Sequence, residues 1–143
     1  PAVSVDAIPE EAVDFIEAKK LGFPVLNEFT SGGYLMYRFS DPATGEPLHK
    51  VPIDGRTNVN SPEIWELYRA SFLGKANWDG YIKKVGPGTI VWRYGSAMST
   101  LLDESPEWCR VYASGNEDDS FVVFIKRAEF DSRRPEFTSP DCT

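Results

Sequence analysis

Few groups in this sequence are equipped for chemistry. The 143-residue chain has one histidine, His49, which lies between two arginines, Arg38 and Arg56. An imidazole titrates near neutrality, so His49 in a cleft could act as a general base. Arg38 and Arg56 could hold an anionic substrate through forked hydrogen bonds. A structural role explains the same residues. In LHKVPI, His49 shares a strand face with Val51 and Ile53, as a partly buried histidine bonded to backbone would. Arg38 shares its face with Tyr34 and Met36 and can pair with an acidic neighbour.

Pro1 offers a different chemistry. A free N-terminal proline is a secondary amine, and desolvation or nearby cations can lower its pKa until it works as a base. The opening PAVSV followed by a helix resembles the β-α start of the tautomerase superfamily, whose base is such a proline. The resemblance covers about the first fifth of the chain. It implies Pro1 as base, with Arg38 or Arg56 holding a carboxylate. The short first helix and the terminal hairpins depart from that family.

The familiar motifs are missing. There is no P-loop, GxGxxG, HExxH, CxxC, EF-hand loop or GxSxG elbow. One histidine excludes a multi-histidine metal site within one chain, so no metal or cofactor is expected. Glu17-Ala-Lys19 spells a nuclease-like ExK, but it falls inside a helix rather than on the strand that such a core needs.

Charge and aromatic content favour binding over catalysis. Acidic residues outnumber basic ones by 22 to 15, for a formal charge of −7. Phosphate backbones need cations, so direct nucleic-acid binding is disfavoured and a basic protein partner is favoured. Trp78 and Tyr81 stand in NWDGYIKK, Trp65 lies off the main stripe of its helix, and Trp108 opens a strand. Exposed rings of this kind anchor partners, although each could instead cap the core. GNEDD contributes Glu117, Asp118 and Asp119, and Glu10, Glu11, Asp103 and Glu104 could join them in one acidic surface.

These groups must be carried by an α+β fold. AVSV reads as a strand. DAIPEEAVDFIEAKKLGFP reads as a helix, with acids in its first turn and Gly22 as its stop. YLMYRF and LHKVPI form a hairpin with a long loop, and Pro52 sets the second strand at an edge or near its end. Ser61-Pro62-Glu63 opens a second helix that ends at Gly74. WDGYIKKVGPG reads as a loop or short strand, TIVWRYG as a strand, and SAMSTLLDESPE as a short helix capped by Ser96. WCRVYAS and FVVFIKRAEF make a terminal hairpin. The expected architecture is a mostly antiparallel sheet of about five to seven strands with two main helices on one face. The order of its first six elements matches that of ferredoxin-like folds. One domain is expected over 1–130, with an extended or disordered tail over 131–143.

Cys109 and Cys142 are far apart, which argues against a disulfide framework. Cys109 alternates with Val111 and Ala113 and is expected to be a small buried hydrophobe, its thiol reduced. The opening residues lack the pattern of a signal peptide, and no apolar run reaches membrane-spanning length. A cytoplasmic location is expected, in a host cell if the protein is viral. The leading functional expectation is a non-catalytic acidic module of the inhibitor, immunity or phage anti-defence type. A virion or assembly subunit, with self-association, is the second class. A small enzyme using Pro1 or a His49–Arg38 cleft is the third.

Overall fold

The structure is a computed structural model that describes residues 9–27, 62–74, 76–117 and 120–137. Pro1, Arg38, His49, Arg56, Asp118 and Asp119 lie outside them, as do the AVSV strand and the YLMYRF/LHKVPI hairpin. The elements run α1 (Glu10–Ala18), β1 (Val25–Leu26), α2 (Pro62–Leu73), α3 (Gly80–Val85), β2 (Thr89–Arg93), α4 (Ala97–Glu104), β3 (Trp108–Ala113), β4 (Phe121–Lys126) and α5 (Arg127–Ser132). A 3-10 turn follows at Arg134–Glu136.

The class is α+β, and the sheet differs from expectation. Among the described residues it has four strands in the order β1-β2-β4-β3. β1 runs parallel to β2, and the other two pairings are antiparallel. The helices cover both faces rather than one. On one side α1 and α5 pack through Ala12, Val13, Ile16 and Phe130 onto Val91, Val123 and Ile125. On the other, α3 and α4 pack through Tyr81, Ile82, Met98 and Leu102 onto Ile90, Trp92 and Phe124. This explains Phe121-Val-Val-Phe-Ile125. A strand covered on both faces is apolar at every position, and all five residues are buried.

Local signals account for the helix ends. α1 closes through two hydrogen bonds, Lys20 N–H to Glu17 O (3.2 Å) and Leu21 N–H to Ile16 O (3.1 Å). That pairing needs a left-handed residue, and Lys20 takes it at φ 52°. Gly22, the expected stop, has another task. It lies against Gly88, where an added Cβ would come within 2.7 Å of the Gly22 carbonyl carbon. The close approach sets β1 beside β2, and Thr89 Oγ1 donates to Gly22 O at 2.7 Å. Gly88→Ala is therefore expected to cost about 1–2 kcal/mol through displaced backbone. A chemical-denaturation midpoint equal to wild type would contradict this packing.

WDGYIKKVGPG is helical where a loop or strand was expected. Gly86 closes α3 in the left-handed region at φ 64°, donating its N–H to Ile82 O at 2.8 Å. Asp79 and Lys83 pair at 3.1 Å across one turn. α4 begins as expected, with Ser96 Oγ accepting from Ser99 N–H at 3.2 Å.

The terminal hairpin forms, but β4 stops at Lys126. Arg-Ala-Glu-Phe turns into α5, a run of good helix formers that carries Phe130 into the core at 1% exposure. Residues 131–137 are thus part of the packed fold rather than an extended tail. Phe137 is buried beside Phe130, with ring centroids 6.0 Å apart.

Cys109 is buried as expected, but it is disulfide-bonded rather than reduced. The sequence has one other cysteine, Cys142, outside the described residues. Thiol titration of the denatured, unreduced chain should find no free cysteine, and two after reduction. Two free thiols before reduction would contradict the bond.

Candidate acidic cleft

The terminal hairpin and the start of α1 enclose a cleft of about 650 Å³. Its acidic lining is Glu10, Glu11 and Asp14 from α1 and Glu117 from the β3–β4 connection. Among the described residues no lysine or arginine lines it. Glu10, Glu11 and Glu117 are exposed, so their carboxylates face water at the rim.

Both walls are fixed by local bonding. The connection is braced by Ser120 N–H to Glu117 O (2.9 Å) and by Glu117 N–H to Ser120 Oγ (3.3 Å). Ser114 Oγ accepts from Phe121 N–H at 3.0 Å. On the other wall, α1 opens at Pro9 without a side-chain cap, and Glu10 and Glu11 offset its dipole. A helix amino end carries about +0.5 of a charge. Four carboxylates outweigh that, so the cleft attracts cations.

An aromatic pair that sequence reasoning missed stands beside the carboxylates. Phe15 stacks on Tyr112, with centroids 4.6 Å apart and planes at 21°. Strict alternation along β3 would put Tyr112 on the face of Trp108 and Arg110. A bulge between Arg110 and Tyr112 shifts the register, so that Arg110 opposes Phe124 and Tyr112 opposes Val123. Tyr112 therefore turns toward α1. Nothing in WCRVYAS marks that bulge.

Burial raises the pKa of the Tyr112 hydroxyl above its usual 10.0, and the adjacent charge of Glu11, its hydrogen bond and the charge of Asp14 add to the rise. A raised value means that the fold favours the neutral phenol. That contribution is complete below the ordinary tyrosine value and is lost as pH rises through the folded one. Ring-carbon NMR titration should show Tyr112 ionising later than an exposed tyrosine, and earlier in Glu11→Gln than in wild type. An identical curve in the variant would remove Glu11 as a cause.

The other candidates scatter. Tyr81 is fully buried and Trp108 is 6% exposed, and both belong to the core around α3 and α4. The alternative of rings that close the core therefore describes them. Trp78 is half-buried against the same cluster, and its carbonyl accepts from Ser71 Oγ. Trp65 is placed on α2 by its backbone. Asp103 pairs with Arg110 at 3.4 Å, and neither it nor Glu104 lines the cleft. Of the expected acidic surface, Glu10, Glu11 and Glu117 come together.

Among the described residues no group of three or more His, Cys, Asp or Glu side chains is arranged to hold a metal ion. No helix among them is long and apolar enough to cross a membrane. Comparison with family models, with curated proteins and with solved structures found no match for the chain.

Proposed function

We propose that this protein is a non-catalytic binding module whose acidic cleft engages a basic segment of a partner protein, in the manner of an inhibitor. The observation that carries the reading is the cleft between α1 and the β3–β4 connection, lined among the described residues by four carboxylates and no lysine or arginine. The walls are held by main-chain and serine hydrogen bonds, so little conformational freedom would be lost on binding. The stacked Phe15 and Tyr112 give the acidic rim an aromatic neighbour, the combination that steers and then anchors a partner.

The test is a pull-down from the native host at low and high salt, run in parallel with wild type and with the double variant Glu11→Lys, Glu117→Lys. One basic protein retained by wild type, released by salt and missed by the variant is the expected result. The same proteins on both baits, or none on either, would sink the reading.

A further inference from the structure

A second concavity lies at the far end of the β3–β4 pair, where β3 begins at Trp108 and β4 ends at Lys126. Five residue steps of β4 separate it from the acidic cleft, about 17 Å of strand. Its volume is about 470 Å³, within the range of small-ligand sites. The floor is apolar, formed by Ile82, Pro87 and Trp108, and three cations stand around it, Lys83, Lys126 and Arg127. Among the described residues Glu107 is the one carboxylate in the wall. In a chain of 22 acids and 15 bases this is a local inversion of charge.

The walls have different freedoms. The Arg127 N–H donates to Glu107 O at 2.8 Å, which ties the start of α5 to the entry of β3. Lys83 pairs with Asp79 at 3.1 Å, but its side chain is 74% exposed. An exposed pair of this kind holds weakly, so the ammonium can swing toward a ligand. Lys126 is exposed at the strand end.

We propose that this groove binds a small organic anion, a carboxylate carried on an apolar body. The body lies against Trp108, Ile82 and Pro87, and the carboxylate meets Lys126 and Arg127. Glu107 beside the cations disfavours a dianion such as a phosphate monoester, and the apolar floor disfavours a bare inorganic ion. The site is independent of the acidic cleft and does not rest on its function.

The test uses the full chain and sodium 2-naphthoate as probe, followed by amide and indole NMR at low salt. 2-Naphthalenemethanol, with the same rings and no charge, is the control. Saturable shifts are expected at the Trp108 indole and the Gly86 amide, with the alcohol several-fold weaker. Lys126→Glu should weaken naphthoate about ten-fold and leave the alcohol unchanged. Ala128→Trp, at an exposed position in the groove wall, should block both probes. Glu11→Gln in the acidic cleft should change neither. The proposal is overturned if naphthoate gives no saturable shift at millimolar concentration. It is also overturned if the shifts map elsewhere, or if the alcohol binds as well as the acid. Should Ala128→Trp lose the folded spectrum, Lys126→Glu decides alone, and unchanged naphthoate affinity there overturns it. A groove already covered by another segment or by a second copy of the chain would appear as absent probe binding.

Discussion

The double substitution Glu11→Lys and Glu117→Lys is expected to weaken binding of a hexa-lysine peptide at least about a hundred-fold at low salt. The four carboxylates of the cleft would go from a charge of −4 to 0, because two are replaced by cations. A pair of unit charges at 4 Å is worth about 1 kcal/mol in water and about 4 kcal/mol near a protein surface. Reversing two charges therefore removes a few kcal/mol. At physiological salt the Debye length is about 8 Å, so the effect should shrink. The fold should survive, because both residues are exposed. Loss of Glu11 from the first turn of α1 costs about 0.3–1 kcal/mol. Glu104→Lys, on α4, is the control, since it changes net charge without touching the cleft. Fluorescence anisotropy of the labelled peptide gives the affinities. Glu104→Lys changes the net charge by +2 and the double variant by +4, so a loss of binding free energy half that of the double variant would make net charge rather than the cleft responsible.

Arg133→Ala is expected to cost about 2–3 kcal/mol of stability, the range for hydrogen bonds from a charged group whose partners lose their donor. Arg133 ties three segments together. Nη2 donates to Lys19 O at 2.5 Å, which satisfies a carbonyl at the end of α1. Nη1 donates to Glu129 at 2.8 Å, and Nε and Nη2 hold Glu136 at 2.9 and 2.8 Å. The guanidinium also stands 5.6 Å from the Phe137 ring centroid. The Arg133 side chain is 21% exposed, so the Lys19 and Glu129 bonds carry most of the effect. The Glu136 arm faces water and contributes little. Hydrogen bonding to Glu136 is the main cause that raises the pKa of Arg133. The same bond lowers that of Glu136. A depressed carboxylate contributes stability above its unfolded pKa and loses it as pH falls through the folded one. Arg133→Lys should not rescue, because one ammonium cannot span the fork of acceptors. Denaturant unfolding of the three proteins decides the matter. A lysine variant as stable as wild type would show that charge alone suffices.

How much of this could be read from the chain varied with how local the cause was. The start of α4 was legible because Ser96 caps its own helix. β2, β3 and the core of β4 were legible because apolar β-branched and aromatic runs are bounded by turn residues. α3 was missed because Gly80 and the Gly-Pro-Gly run obscure a short helix held by packing of Tyr81 and Ile82. The end of β4 was missed because Lys126-Arg127 carries no break signal, and α5 exists to bring Phe130 onto the sheet. The number of helix-bearing faces was recorded in Phe121–Ile125, whose unbroken apolarity says that both sides of that strand are covered.

The acidic cleft divides in the same way. That Glu10, Glu11 and Glu117 are acidic, and that the chain leans toward cationic partners, is a property of composition. That α1 lies beside the β3–β4 connection is not, because those segments are about a hundred residues apart. The sequence by itself determined the α+β class, the charge and the caps that depend on neighbours within one turn. Tertiary structure alone decided which face each helix covers, that Lys20 rather than Gly22 turns left-handed, and that a bulge brings Tyr112 to Glu11. The physical reason is range. Caps and turns are settled by groups a few residues away, whereas register and face selection depend on burying apolar surface contributed by the whole chain.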